Sequence, residues 1–367
     1  MNLSAADIIN ASNYFTSDYH QSRHLYLAKL QDVEHLTNDK KAWQLDARFG
    51  TDLYIDTVWL GSRQAKNVLV IISATHGVEG YCGSAAQSFL LDQFATLERI
   101  EPKDFAVLII HSLNPWGMYW ARRCDQSGID LNRNFNDFST PITDSEAVQV
   151  WLNILELEEV QARFSAIEDF KDRLGQQKFE EVISAGQYSK PWAPFFGGQA
   201  PSFANETIEN IINGYQLAGK ELVVIDIHSG LGPYAFGELI SDHPIDSSGA
   251  RFAEQLFGDT IASTAKGESF SAPKFGLMDY RWHQLMQDSG CYITLEFGTY
   301  NSDQLFHTLL NEHLFWARSD HKTLKNDAYQ EHRKAMLQQF CPDHELWHQA
   351  VLFKVWQLIN RVIRFYQ

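Results

Sequence analysis

Cysteine is scarce in this chain: Cys82, Cys124, Cys291 and Cys341 are the only four in 367 residues. None forms a C-x-x-C pair, which argues against a thiolate zinc site, and their wide spacing does not make a disulfide framework. Positive charge is also short. Lys and Arg total 30 against 46 Asp and Glu, for a formal net charge of -16. Phosphate backbones are bound by clustered Lys and Arg, so this balance argues against nucleic acid and, more weakly, against an anionic membrane surface. No stretch approaches the ~20 apolar residues of a membrane span. The opening Met1-Asn2-Leu3-Ser4-Ala5-Ala6-Asp7 lacks the basic and apolar regions of a secretory signal. There is no internal repeat, no low-complexity tract and no G-x-S-x-G elbow of a serine hydrolase. These absences lead to the expectation of a soluble, cytoplasmic protein. Its oligomeric state is not legible.

What the chain does have is ordinary globular composition, with 44% hydrophobic and 21% charged residues, enough to bury a sizeable core. Strand-like and helix-like segments alternate. The spacing predicts strands over 53–60, 67–74, 105–111, 221–228 and 291–297. Three of these are nearly continuous apolar runs, which fits strands buried on both faces by helices. Helices are expected over 18–30, 83–93, 144–165, 205–218, 249–264, 302–317, 323–339 and 345–365. The last carries a stripe of Leu346, Val351, Leu352, Val355, Leu358, Ile359 and Ile363 at helical spacing, read as core-facing. Gly186, Pro191, Pro194, Gly197, Gly198 and Pro201 mark 184–204 as a long loop. No composition shift divides the chain.

Chemistry-bearing residues gather just after the apolar runs. His76 and Glu79 follow the second, Arg122 and Arg123 the third, His228 ends the fourth and Glu296 the fifth. Ligand crevices of open α/β sheets lie outside the carboxyl ends of the strands, so these residues are expected to converge. His76, Glu79 and His228 have the composition of a catalytic zinc site, which uses three His or Asp/Glu ligands and leaves a position for water. A metal lowers the pKa of such water to about 7. Glu296 is placed to act as general base and proton shuttle, and Arg123 to stabilise an oxyanion. A ligand histidine also needs its second ring nitrogen held, for which Asp130 and Asp226 both qualify. Taken singly, each has a plainer explanation: a capped helix start, a strand-end histidine, a solvated arginine pair. Their joint placement is what points to a site.

A longer string sharpens the reading: Asn114-Pro115-Trp116-Gly117, then Arg122-Arg123, then Gly128-Ile129-Asp130-Leu131-Asn132-Arg133-Asn134-Phe135. With the earlier H-x-x-E and the later histidine and glutamate, the chain resembles the zinc carboxypeptidase superfamily over roughly 67–300, as an uncharacterised, bacterial-type branch. The resemblance implies an α/β three-layer sandwich with a mixed, mostly parallel eight-stranded sheet covered by helices. It implies one catalytic domain over 1–367, with an insertion or lid within 139–204. It matches His76, Glu79 and His228 to ligands of one zinc ion, although Asp125, Asp130 and Asp226 leave room for a second. It matches Asp130 to the carboxylate orienting the first histidine and Glu296 to the catalytic glutamate. Arg123, with Arg122 as the fallback, matches the oxyanion-stabilising arginine. Asn132 and Arg133 match the pair that grips a substrate carboxylate. Tyr280 lies near the family's substrate-capping tyrosine without aligning to it. The implied activity is hydrolysis of an amide next to a free carboxylate, in a peptide or an acyl-amino acid. A deacylase of the aspartoacylase or succinylglutamate desuccinylase type would use the same residues. A non-catalytic metal- or ligand-binding protein would be expected to have lost Glu296 or Arg123.

Overall fold

The structure is a computed structural model that describes residues 1, 3–269, 274–318 and 326–367. Eight strands form one sheet: β1 (Thr37–Gln44), β2 (Tyr54–Gly61), β3 (Asn67–Ser73), β4 (Phe105–His111), β5 (Glu221–Gly230), β6 (Gly237–Ser241), β7 (Ile261–Ser263) and β8 (Gly290–Gly298). Their order is β1-β2-β4-β3-β5-β8-β6-β7. The central four, β4-β3-β5-β8, are mutually parallel, as is β6 with β7; the remaining pairings are antiparallel. The expected mixed, mostly parallel α/β sandwich is therefore present.

The continuous apolar runs are explained by the pleat. Successive side chains on a strand point to opposite faces. Leu69, Ile71, Val107, Ile109, Val223, Ile225, Ile293 and Leu295 pack on one face against helices Gly80–Ala95, Ser248–Phe257 and Glu345–Tyr366. Their neighbours Val68, Val70, Ala106, Leu108, Leu222, Val224 and Tyr292 pack on the other, against helices Phe203–Gly214 and Met278–Met286. Towards the carboxyl ends this second face turns polar. Asp226 and His228 continue the Leu222–Val224 row of β5, and Thr294 and Glu296 continue the Tyr292 row of β8. In the parallel register His228 lies opposite Glu296.

Three strands escaped the sequence reading for physical reasons. β1, Thr-Asn-Asp-Lys-Lys-Ala-Trp-Gln, is an edge strand whose residues alternate between half-buried and exposed, and charged side chains are how edges avoid further pairing. β6 and β7 have five and three residues, too few for a period to show. The expected helix over 144–165 is two, Glu146–Leu155 and Val160–Leu174, and a third, Gln176–Ser184, follows where only a loop at 184 was foreseen. The helix expected over 249–264 stops at Phe257, where Gly258 turns the chain towards β7. Residues 323–325 of the expected 323–339 helix lie outside the described residues; the rest forms Asp327–Phe340. In the last helix the stripe is buried except Leu346, which is 66% exposed, while Trp347 beside it is fully covered.

The three helices between 146 and 184 share a small core of their own, with Trp151, Leu155, Ile167, Phe170, Phe179 and Ile183 joined by Leu310 and Leu314 from helix Ser302–Arg318. No helix among the described residues is long and apolar enough to cross a membrane.

Candidate active site

β3 lies between β4 and β5, so the chain leaves it to one side and later returns on the other. A crevice opens where strand connections part in this way, and the two histidines meet there. At its end β3 passes through Ala74 at φ 60°, a conformation non-glycine residues adopt rarely and mostly where a site requires it. Thr75 and His76 follow.

Both motif glycines serve close approach rather than an unusual φ. A Cβ on Gly77 would lie 2.1 Å from the Gly117 carbonyl carbon, and one on Gly117 would meet Asn114 Nδ2 at 2.5 Å. The H-G-V-E and N-P-W-G turns thus stack backbone on backbone. Asn114 accepts from the Gly117 N–H (2.8 Å) to start the short helix Pro115–Tyr119. Its amide also donates to the Arg123 carbonyl (3.2 Å), while Gly77 and Val78 N–H donate to the carbonyls of Arg123 and Arg122. The N-P-x-G string therefore positions the arginine pair. Asn134 braces the following loop in a comparable way. Its side chain donates to Gly197 and Ala200 carbonyls and accepts from Ser202 N–H.

Glu79 occupies the position before helix Gly80–Ala95 but does not cap it. Its carboxylate is 2% exposed and meets His76 Nδ1 at 2.9 Å and His228 Nδ1 at 3.0 Å. It also accepts from Arg123 Nη1 (3.3 Å) and Ser229 N–H (3.2 Å). The two Nδ1 atoms are 3.2 Å apart. Each outer nitrogen faces its own carboxylate: His76 Nε2 with Asp130 at 3.2 Å, His228 Nε2 with Asp226 at 2.7 Å. Both candidates for this role are used, one per histidine. Asp226 also accepts from Thr75 and Tyr292 hydroxyls, each at 2.9 Å, and Asp130 from Arg123 Nε (2.9 Å) and Asn132 N–H (3.0 Å).

The tautomers follow from these partners. Two carboxylates require N–H at both Nε2 atoms, which leaves a lone pair on each Nδ1 of a neutral ring. Two nitrogen lone pairs and a carboxylate then face one another in a buried space, an all-acceptor cluster that calls for a cation at its centre. His76, Glu79 and His228 offer one ligand atom each within 4.8 Å of one another, and a His-His-carboxylate set suits a borderline-soft divalent ion. The donor set therefore fits a metal. Burial opposes a charged His228, while Asp226 and Glu79 hold its pKa well above the usual value. Burial likewise acts against ionised Glu79, and His76 and His228 hold it below the usual carboxylate range. Among the described residues this is the one such group. Asp125 instead accepts from the N–H groups of Ser127 and Ile129.

A cleft of about 530 Å³ surrounds the cluster, lined by His76, Glu79, Arg123, Asn132, Arg133, His228 and Glu296 among others. The structure thus gathers the proposed ligands, base and arginines in one place. Glu296 accepts from Leu231 N–H (3.0 Å). Burial and the charge of Glu79 push its carboxyl up to about 7, against the pull of His228 and Arg123. Arg122 turns away: it pairs with buried Glu312 and stacks on Trp316, 4.2 Å from the ring centre. Arg133 is fully buried, donates twice to the Ser184 carbonyl (3.1 and 2.7 Å) and lies over the Phe195 ring. Asn132 accepts from Met278 N–H (2.9 Å). Tyr280 points its hydroxyl to the Lys274 carbonyl and is not among the described residues that line the cleft. Lys274 and Asp242 do line it and went unremarked in the sequence. Asp242 follows β6, so recognising that short strand would have flagged it by the same strand-end rule.

A family profile described as "Protein of unknown function (DUF2817)" matches residues 15–354. No curated protein matches the sequence significantly. Among solved structures, bovine thrombin-activatable fibrinolysis inhibitor in complex with tick carboxypeptidase inhibitor aligns at 10% identity and TM-score 0.51, covering 96% of this chain and 97% of that one. Carboxypeptidase A from Helicoverpa armigera aligns at 12% identity, 95% and 72% coverage and TM-score 0.48. A metallo-carboxypeptidase from Pseudomonas aeruginosa aligns at 13%, 94% and 69%, and 0.40. The first of these carries the correspondence, and it is one of fold alone: this chain shares the fold of thrombin-activatable fibrinolysis inhibitor.

Proposed function

The chain belongs to the DUF2817 family, and we propose that it is a zinc-dependent hydrolase cleaving an amide bond next to a free carboxylate. The observation that carries the proposal is the all-acceptor cluster of His76, Glu79 and His228 with Glu296 and Arg123 in the same cleft. A zinc ion held by those three side chains would supply Lewis acidity and an acidified water.

The protein's own groups account for the rest. Arg133, with Asn132 beside it, grips the substrate carboxylate with the two of its five N–H donors that its bonds to the Ser184 and Asn132 carbonyls leave over. Glu296 takes the proton of the attacking water and returns it to the departing amine nitrogen. Arg123, anchored by Asp130 and Glu79, presents positive charge to the oxygen that becomes anionic. Asp130 and Asp226 keep both rings in the tautomer that turns Nδ1 inwards. The four cysteines are all free, which supports a reducing, cytoplasmic setting. The same residues would serve a deacylase of N-acyl amino acids, and the apolar walls of the cleft favour keeping that reading. A non-catalytic role is disfavoured, because Glu296 and Arg123 are present and face the cleft.

The test is a screen of C-terminally free dipeptides and N-acyl amino acids. Release of the amino acid is expected, with loss on chelation and return on adding zinc. Turnover that survives complete metal removal would overturn the proposal. A pH profile gives a second check. Glu296 must be ionised to accept a proton, so the rate should rise as pH climbs through its pKa. That pKa is about 7 without an ion, and a neighbouring dication favours the carboxylate. The acid limb of kcat/KM should therefore fall below pH 7; a limb above pH 8 would contradict this assignment.

A further inference from the structure

We infer that helix Gln176–Ser184 roofs the cleft and that the substrate is a small amide whose acyl side carries an apolar group. This rests on the hydrolase reading and deepens it.

The helix meets the site at both ends. At its carboxyl end the Ser184 carbonyl accepts from Arg133 Nε and Nη2, at 3.1 and 2.7 Å, and the next carbonyl, of Ala185, accepts from Phe275 N–H. One to two turns back, Phe179 packs on Phe306 with ring centres 5.9 Å apart, and on Trp151 at 6.0 Å. Phe306 belongs to helix Ser302–Arg318 and lines the cleft as Phe179 does. The five steps from Phe179 to Ser184 rise ~7.5 Å, the length of about two extended residues. The roof therefore spans from the arginine assigned to the carboxylate to an apolar wall, over little more than one amide unit. Lys171 and Asp303, both lining the cleft, pair across the same boundary at 3.7 Å.

The wall carries a group of apolar side chains among charged ones such as Glu168, Lys171, Glu180 and Asp303. Ile167, Phe179, Ile183, Leu305 and Phe306 all line the cleft. The cleft volume of about 530 Å³ falls in the range of small-molecule sites, roughly 300–1,000 Å³. A long polypeptide ending at Arg133 would extend beyond a space of that size. A short substrate would instead bury its apolar group there and gain from the area removed from water. That group has two chemical sources: an aliphatic or aromatic acyl chain on an amino acid, or the side chain of a hydrophobic amino-terminal residue.

The experiment compares four compounds that share one C-terminal amino acid: its N-acetyl and N-decanoyl derivatives, the dipeptide led by phenylalanine, and a decapeptide. Binding to Glu296→Gln protein is measured by calorimetry and turnover on the wild type. Tighter binding of the decanoyl compound or the dipeptide than of the acetyl compound, by at least about tenfold, is expected, and the better of the two identifies the source. The decapeptide should be at least about 100-fold poorer in kcat/KM. Replacing Phe179 and Ile183 by alanine should shrink both ratios. Equal binding of acetyl and decanoyl compounds, or a decapeptide cleaved as well as the dipeptide, would overturn the inference. If no compound turns over, the hydrolase reading fails separately, and the binding ratios still decide what the apolar wall accepts.

Discussion

Replacing Glu296 with glutamine is expected to lower kcat/KM by about 10²–10⁴-fold, the range for removing a positioned general base, with metal content unchanged. The substitution is nearly isosteric and keeps an oxygen able to accept from Leu231 N–H, the contact made by Glu296 Oε1 at 3.0 Å. It removes only the capacity to take a proton. Glu296 is separate from the group of side chains that share ligand atoms within 4.8 Å, so elemental analysis should find the same metal stoichiometry in both proteins. Its loss should show mainly in kcat, because binding of substrate is assigned to Arg133 and Asn132. Activity within a few-fold of wild type would remove Glu296 from the mechanism. Loss of metal along with activity would make it part of the metal site instead.

His76→Ala and His228→Ala are each expected to lose tightly held zinc and to fall to background activity. Disturbing an outer partner of a metal ligand costs about 10–100-fold in affinity; deleting the ligand itself should cost more, enough for dialysis to strip the ion. The paired result matters, because the two residues are 152 positions apart and only a shared ion explains a common loss. About one zinc per chain in the wild type and none in either variant is the expected outcome, read by elemental mass spectrometry. Metal retained in both variants would show that the two rings are structural. The folded state should be checked alongside, since each alanine also leaves a buried carboxylate, Asp130 or Asp226, without one of its donors.

The relation between sequence and site differs residue by residue. His76, Glu79, His228 and Glu296 were legible because each follows or ends an apolar run, and strand ends in a parallel sheet converge. Asp226 and His228 could be tied to one face because the strand period is two. The carboxylate partners could not be apportioned in advance: sequence offered Asp130 and Asp226 as alternatives, and folding supplied one to each ring. Of Arg122 and Arg123, only Arg123 lines the cleft, since adjacent residues leave a turn in different directions. Arg122 found Glu312, 190 positions away, on a helix whose period says nothing about arginines.

The amino-acid sequence by itself determined the alternation of buried strands and amphipathic helices, hence the sheet covered on both faces. It also determined which residue types stand at the strand ends. Both are local consequences of side-chain polarity and backbone period. The tautomers of the two histidines, the stacking that makes Gly77 and Gly117 necessary, the short strands β6 and β7 and the placement of the Phe179–Ser184 segment depend on which distant segments come within a few ångströms. No local period encodes those distances; they follow from packing the whole chain around two faces of one sheet.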